Sequence, residues 1–136
     1  MRILAVDYGS KRIGLAVSDP LGITSQGIPT VLNLGKQKVL GALAAICKEY
    51  DVNEIVVGLP INMNGTHGPK AKEVEEIVVE WEKALSIPVK TWDERLTSRE
   101  ASRFMTEAGL SSRKQKENSD RLAATLILQN YLQSRK

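Results

Sequence analysis

The arrangement of apolar segments near the amino terminus restricts the possible folds of this chain more than any other feature of its sequence. Residues 2–7 (RILAVD) are apolar on both alternating faces until Asp7, which is typical of a strand covered on both sides. Residues 9–11 have turn chemistry and residues 13–17 form a second apolar run, so the two runs should pair as an antiparallel hairpin. A third strand is predicted around residues 27–32, where Pro29 indicates an edge or bent strand.

From Lys36 onward the apolar residues recur at helical spacing, which predicts helices that alternate with further strands. A first amphipathic helix carries its apolar residues between Val39 and Tyr50, and a buried strand follows at residues 54–59. An Asn- and Gly-rich loop over residues 60–69 leads to a second amphipathic helix. A fifth strand is predicted at residues 88–92.

The remaining residues are predicted to form two helices separated by a basic loop. Thr97 and Glu100 match a capping box, so a third helix should begin at Thr97 and stop at Gly109. Residues 111–117 are basic and serine-rich and are predicted to be mobile. Asn118 or Ser119 would then cap a final helix. The inner face of that helix runs through four apolar residues: Ala124, Ile127, Leu128 and Tyr131.

The order of these elements indicates one α/β domain that spans residues 1–136. A hairpin and a third strand, followed by alternating helices and strands, imply a five-stranded mixed sheet flanked by helices on both faces. This is the order of elements in the RNase H-like fold. The sequence contains no internal repeat and no hydrophilic linker that would divide the chain.

Composition and charge narrow the range of partners and compartments. The formal net charge is +3 and the sequence pI is about 9.1, a surplus that permits nucleic-acid binding without requiring it. Cys47 is the only cysteine, so no internal disulfide can form, which suits a reducing compartment. The amino terminus lacks the apolar core of a signal peptide, and no apolar run reaches the length of a membrane span. We therefore expect a cytoplasmic protein with no membrane partner.

Three acidic residues, Asp7, Glu94 and Asp120, lie where a purely structural role is not obvious. Asp7 closes a buried strand, Glu94 follows the fifth strand, and Asp120 is predicted in the first turn of the last helix. If strands one, four and five run parallel, their carboxyl ends lie together, where open α/β sheets usually bind ligands. Three carboxylates converging there would suit Mg²⁺ or Mn²⁺.

Such a cluster predicts hydrolysis of phosphodiesters. Two ions about 3.5–4 Å apart can bind both the attacking and the leaving oxygen of an in-line displacement. Each acid taken alone also has a structural interpretation, because Asp forms turns and complements helix dipoles. Asp93, the neighbour of Glu94, is an alternative for the same role. The combination of the three acids is what favours a catalytic site.

Four sequence blocks closely resemble the bacterial YqgF family, in order and across essentially the whole chain. These blocks are residues 7–16 (DYGSKRIGLA), 57–66 (VGLPINMNGT), 93–98 (DERLTS) and 120–124 (DRLAA). The resemblance implies an RNase H-like fold related to RuvC-type Holliday-junction resolvases, and a nuclease role in maturing the 5′ end of pre-16S ribosomal RNA. It also implies that the acidic triad of the family corresponds to Asp7, Glu94 and Asp120.

Several basic and amide residues are candidates for binding the substrate. Lys11 and Arg12 follow the Asp7 strand and could contact flanking phosphates, or they could form only a solvated hairpin tip. Arg95 could bind phosphate or brace a neighbouring acid.

The loops before the second and last helices supply the other candidates. Asn62 and Asn64 could bind sugar or phosphate oxygens, or they could serve only the turns of their loop. Arg113 and Lys114, in the basic segment before the last helix, would act as a clamp that orders on binding, or as a solvated loop.

The sequence leaves several functions open. A nuclease acting on pre-ribosomal RNA is favoured, and a resolvase acting on branched DNA is the main alternative, which would require a two-fold dimer. Oligomeric state, monomer or dimer, is itself open. A non-catalytic RNA-binding module is a third hypothesis. The Asp-x-Gly hairpin also begins the actin and sugar-kinase fold, although that architecture normally needs two such domains. Aromatic residues make up only 4% of the chain, so recognition should depend on phosphates and backbone shape.

Overall fold

The computed structural model describes residues 2–93 and 112–134, with the side chains of the second segment described from Arg121 onward. Within these residues the strands are β1 (Arg2–Tyr8), β2 (Arg12–Ser18), β3 (Ser25–Leu32), β4 (Val52–Leu59) and β5 (Val89–Asp93). The helices are α1 (Lys36–Tyr50), α2 (Pro69–Leu85) and α3 (Ser112–Ser134). None of these helices is long and apolar enough to cross a membrane. The third helix predicted from the sequence, which begins at Thr97, lies outside the described residues.

The sheet is mixed and has the strand order β3-β2-β1-β4-β5. Strand β2 runs antiparallel to both β1 and β3, whereas β1, β4 and β5 are mutually parallel. The predicted hairpin and the predicted parallel set are therefore confirmed. Strand β3 lies at one edge, and its register with β2 shifts between Ile13 and Leu15. Pro29 falls in this irregular part of the edge strand, as expected for a residue that cannot donate a ladder hydrogen bond.

One face of the sheet packs against α1 and α2. Leu4 and Val6 of β1 point to this side, where they join Val39 and Leu43 of α1 and Trp81 of α2 in the larger apolar core. The alternation of side chains along a strand explains why every second residue of β1 belongs to this core. We call this side the α1/α2 face.

The opposite face of the sheet packs against α3. Ile3 and Ala5 of β1 and Ala16 of β2 contact the helix residues that the sequence assigned to the inner face of the last helix. The predicted inner face is thereby confirmed. The buried helix residues are Ala124, Ile127, Leu128 and Tyr131. We call this side the α3 face.

Left-handed residues terminate α1 and α2 and return the chain directly to the sheet. The residue after α1, Asp51, has φ 55°, and its backbone N–H donates to the carbonyl of Cys47. The residue after α2, Ser86, has the same φ and donates to the carbonyl of Glu82. Helix α2 begins with Pro69 at its first turn, where a missing N–H costs no hydrogen bond.

The predicted loop over residues 111–117 and the predicted cap at Asn118 or Ser119 are wrong. Helix α3 begins at Ser112, and Arg113 and Lys114 lie in its first turn. Asp120 is the ninth residue of the helix and therefore lies in its third turn, not in its first. The physical reason is that Arg, Lys, Gln and Glu, which fill positions 113–117, are good helix formers, and neither Gly nor Pro interrupts them.

Candidate functional site

Asp7 lies near the carboxyl end of β1 on the α3 face. Its backbone pairs with Gly14 of β2. On the other side Val6 pairs with Val57, so the next residue along β4, Gly58, lies beside Asp7. Both glycines are buried, whereas Asp7 is partly exposed. Asp7 thus stands between two residues that have no side chain.

The two glycines contribute no side chain beside the Asp7 carboxylate. Any larger residue at position 14 or 58 would project beside the carboxylate, because neighbouring residues of paired strands point to the same face. Asp7 lies near the carboxyl end of parallel strands, a common place for ligands in α/β proteins. A hard carboxylate oxygen in an accessible position is a suitable ligand for Mg²⁺ or Mn²⁺.

Asp93, the alternative to Glu94, lies on the wrong face of the sheet to join Asp7. In β5, Trp92 pairs with Gly58 and Asp93 pairs with Leu59. Leu59 belongs to the core on the α1/α2 face, whereas Trp92 packs on the α3 face. Since paired residues share a face, the Asp93 side chain points away from the side that Asp7 occupies.

Residues of the β1–β2 turn are held in one arrangement. A Cβ atom at Gly9 would lie 2.2 Å from the carbonyl oxygen of Arg12, so only glycine fits this position. The side-chain amide of Asn33 donates to the Gly9 carbonyl at 2.9 Å, and the Asn33 backbone N–H donates to the Lys11 carbonyl at 2.9 Å. The turn therefore presents Lys11, which is exposed, and Arg12, which is partly buried, from a fixed backbone.

The sequence did not indicate the role of Asn33 in fixing the β1–β2 turn. Its only local signal is an Asn that follows a strand, which is the ordinary signal of a turn. Its contact with Gly9 joins residues that are 24 positions apart, and no periodic pattern reports such a contact.

Asn62 and Asn64 lie in the loop between β4 and α2, where their side chains bond within the loop. The Asn62 amide donates to the Thr66 hydroxyl at 3.0 Å, and the Thr66 backbone N–H donates to Asn64 Oδ1 at 3.1 Å. The backbone N–H of Gly65, at φ 86°, donates to the Asn62 carbonyl at 2.8 Å. These bonds supply the structural role that the sequence had left as an alternative to substrate binding.

Helix α3, which includes position 120, packs on the same face of the sheet that Asp7 occupies. Asp120 precedes Tyr131 by eleven residues, which is about three turns of helix, so the two positions lie on the same side of α3. Tyr131 is buried against the sheet. Of the predicted triad, Asp7 alone has a described side chain, and Glu94 and Arg95 lie outside the described residues. Among the side chains that the structure describes, no group of three or more potential metal ligands occurs.

The far end of α3 is anchored to the sheet by a buried polar contact. The Tyr131 hydroxyl donates to Glu54 Oε1, and Glu54 is 8% exposed. The Lys90 ammonium lies 3.7 Å from the same oxygen, and the Tyr131 ring packs edge-on against Trp92. Neither Glu54 nor Tyr131 was assigned such a role from the sequence, because the two residues lie 77 positions apart.

Comparison with known proteins gives matches along nearly the whole chain. The family model described as "RuvX: Holliday junction resolvase" matches residues 1–134. A protein of Syntrophomonas wolfei named "Putative pre-16S rRNA nuclease" is 51% identical over 132 residues, which cover 97% of this chain and 94% of that protein. A protein of Clostridium botulinum (strain Eklund 17B) with the same name is 52% identical over 132 residues, covering 97% and 96%.

Two solved structures share the fold at low sequence identity. The Holliday junction resolvase of fowlpox virus superposes with a TM-score of 0.62 at 13% identity, covering 98% of this chain and 99% of that one. RuvC of Thermus thermophilus, solved in complex with a Holliday junction substrate, gives a TM-score of 0.59 at 14% identity, covering 99% and 96%. These similarities confirm the predicted RNase H-like fold.

Proposed function

Because this chain belongs to the RuvX family, which the motif resemblance named as YqgF, we propose that it is a metal-dependent nuclease acting in 5′-end maturation of pre-16S ribosomal RNA. The observation that carries the proposal is the position of Asp7. Its carboxylate lies at the carboxyl end of the parallel strands, between Gly14 and Gly58, on the face that α3 covers. Asp120, on that helix, and Glu94, directly after β5, complete the proposed site.

Asp7, Glu94 and Asp120 would hold Mg²⁺ or Mn²⁺ through carboxylate oxygens, the ligand type that these ions prefer. When bound, the metal supplies electrophilic stabilisation of the phosphodiester and a more acidic water. The two glycines beside Asp7 place no side chain between its carboxylate and an approaching phosphate group. The backbone of Asp7 is fixed by its place in a paired strand, which reduces the ordering that substrate binding requires.

Basic residues around the site would bind the flanking phosphates. Lys11 and Arg12 project from the constrained β1–β2 turn, and Arg113 and Lys114 lie on the first turn of α3, about five turns from its anchored end at Tyr131. Arg95 adjoins Glu94 in the sequence. Asn62 and Asn64 would act mainly by shaping the loop after β4, because their side chains bond within it. Contacts of this kind give salt-dependent binding with little sequence preference.

Pre-ribosomal RNA is preferred to branched DNA because of the relatives that share half of the sequence. Those relatives bear the name of a pre-16S nuclease and align over almost their whole length. The family description favours the second candidate function, resolution of Holliday junctions. Either activity places the protein with nucleic acid in the cytoplasm.

The test is a cleavage assay with Mg²⁺ or Mn²⁺ on a labelled 5′-extended 16S fragment and on a four-way DNA junction. We expect Asp7→Asn to lower the cleavage rate by more than about a hundredfold, because loss of mere outer-shell support already costs 10- to 100-fold. The matched control is Asp51→Asn, the same change at an exposed residue with φ 55°, which Asn tolerates well. Asp51 lies beside Arg2, at the opposite end of β1 from Asp7.

The outcomes separate the candidate functions. Cleavage of the RNA by wild type and Asp51→Asn, but not by Asp7→Asn, supports the proposal. Symmetric cleavage of the junction in place of the RNA would assign the resolvase function. If wild type binds RNA but cuts neither substrate with either metal, the nuclease proposal is wrong and a binding module takes its place.

A further inference from the structure

We propose that Arg121 binds a backbone phosphate of the nucleic acid, and that Gly27 of β3 provides the space in which its side chain is held. The inference rests on the proposed nuclease function and adds to it a phosphate-binding residue outside the predicted set. Arg121 follows Asp120 directly in α3. Gly27 belongs to the edge strand, 94 positions earlier in the chain.

The side chain of Arg121 lies directly on the backbone of β3. A Cβ atom at Gly27 would be 2.5 Å from Cγ and 2.7 Å from Cδ of Arg121, and 3.3 Å from the Thr125 hydroxyl. The first two distances are shorter than any real contact between carbon atoms. No residue other than glycine therefore fits beneath the Arg121 side chain in this position.

Backbone conformation does not account for Gly27. The described glycines with positive φ are Gly22, Gly35 and Gly65, so Gly27 adopts a conformation open to any residue. Glycine inside a strand lowers stability, because it loses more chain entropy on folding and packs no side chain. The close approach of Arg121 is the structural reason for a glycine at this position.

The row of residues beneath Arg121 leads across the sheet toward Asp7. Gly27 pairs with Ala16, and Ala16 pairs with Ala5. Ala5 lies two residues before Asp7 in β1, so both side chains point to the same face. Two strand spacings and one pleat correspond to about 12 Å between Gly27 and Asp7. A cation held over Gly27 would lie within reach of a phosphate one or two nucleotides from the one that the acidic site holds.

The charge of Arg121 is available while its stem is fixed. Arg121 is exposed, and among the side chains that the structure describes no carboxylate forms an ion pair with it. The Thr125 hydroxyl donates to the Arg121 carbonyl at 2.9 Å, and the Ser25 hydroxyl donates to the Thr125 carbonyl at 3.1 Å. The helix is therefore tied to β3 at this point. A guanidinium on a fixed stem loses little entropy when it forms two hydrogen bonds to phosphate.

The competing explanation is that Arg121 serves only to cover β3 with its methylene groups, as long cationic side chains often do. The two explanations differ in their salt dependence. A phosphate contact releases counterions, so its loss reduces the slope of log affinity against log salt, whereas a lost packing contact leaves the slope unchanged.

The experiment measures binding of the labelled 5′-extended 16S fragment by the full chain in EDTA, which prevents cleavage, over a series of salt concentrations. We expect Arg121→Gln to weaken binding about fivefold to tenfold at low salt and to reduce the slope by about 0.7–0.9. Arg121→Lys keeps the charge and the stem and should keep the slope. The matched control is Lys83→Gln, which removes an exposed cation from the last turn of α2, on the other face.

Gly27→Ala tests the second half of the inference. The added methyl group must displace the Arg121 side chain, so binding should weaken in the same direction as in Arg121→Gln. In an Arg121→Ala background Gly27→Ala should have little further effect on binding, because the two closest atoms, Cγ and Cδ of Arg121, are absent. Circular dichroism and urea denaturation of each variant confirm that the compared proteins are folded.

An unchanged affinity and slope in Arg121→Gln would overturn the inference, and so would equal losses in Arg121→Lys and Arg121→Gln. In either case cleavage by wild type would leave the proposed nuclease function standing. Conversely, if wild type cuts no substrate but Arg121→Gln still lowers the salt slope of binding, the nuclease function fails and the phosphate contact remains.

Discussion

The two faces of the sheet are built from different side chains. On the α1/α2 face the sheet contributes large residues, among them Leu4, Val6 and Leu15, and the core continues to the end of β1 with Tyr8 against Trp81. On the α3 face the sheet also contributes Ile3, Val56 and Trp92, but five positions on this face hold small residues. These are Ala5, Gly14, Ala16, Gly27 and Gly58.

From this difference we expect the α1/α2 face to contribute mainly to stability and the α3 face to carry the proposed site. Large interlocking side chains on one face bury the most apolar area, which is the main favourable contribution to folding. Small residues on the other face let α3 approach closely, and those beside Asp7 place no side chain next to its carboxylate. At the start of β4 the α3 face carries a buried polar contact between Glu54 and Tyr131. A substitution should therefore affect folding or function according to its face.

The largest effect on stability is expected for Leu43→Ala on the α1/α2 face. Leu43 is fully buried, and its truncation leaves a cavity that costs about 2–5 kcal/mol in the free energy of unfolding. Urea denaturation measures the change, and Val79→Ala, at a residue 53% exposed on α2, is the control with almost no change. Cleavage per folded molecule should match that of wild type. A loss of cleavage beyond the loss of folded protein would contradict the separation of the two faces.

A smaller loss of stability, combined with a loss of activity, is expected for Tyr131→Phe on the α3 face. The change keeps the ring that packs on Trp92 but removes the hydroxyl that donates to buried Glu54, which costs about 1–3 kcal/mol. Because the same helix carries Asp120, cleavage should also fall. A double-mutant cycle with Glu54→Gln isolates the contact. Cleavage at the wild-type rate would show that this anchor does not position the site.

The smallest expected effect is on the rate at which the Cys47 thiol is labelled, a measurement that requires no change in the stability of the wild-type protein. Burial against the α1/α2 face raises the pKa of this thiol, so at pH 8 a smaller fraction is thiolate than in an exposed cysteine. Labelling with a thiol reagent should be slow in the native protein and fast in urea. Leu43→Ala, one turn away on α1, should accelerate labelling more than Tyr131→Phe does. Equal acceleration by both variants would mean that the two faces open together.

Parts of the candidate site could be predicted because they depend on local pattern. Alternation along β1 places Asp7 on the same face as Ile3 and Ala5, and the structure confirms this. The choice between Asp93 and Glu94 required the register of β5, since a shift of one residue exchanges the faces. The start of α3 was predicted incorrectly because its first turns have no apolar periodicity, although their residues favour helix.

The sequence alone determined the order of strands and helices, the inner face of each helix that the structure describes, and the three acids proposed for the site. These features follow from hydrophobic periodicity and turn chemistry, which act over a few neighbouring residues. Tertiary structure alone decided that Gly14 and Gly58 flank Asp7, that Asn33 fixes the β1–β2 turn, and that Arg121 lies on Gly27. Each of these contacts joins residues from different elements. Their physical basis is packing across the sheet, to which no local pattern in the chain corresponds.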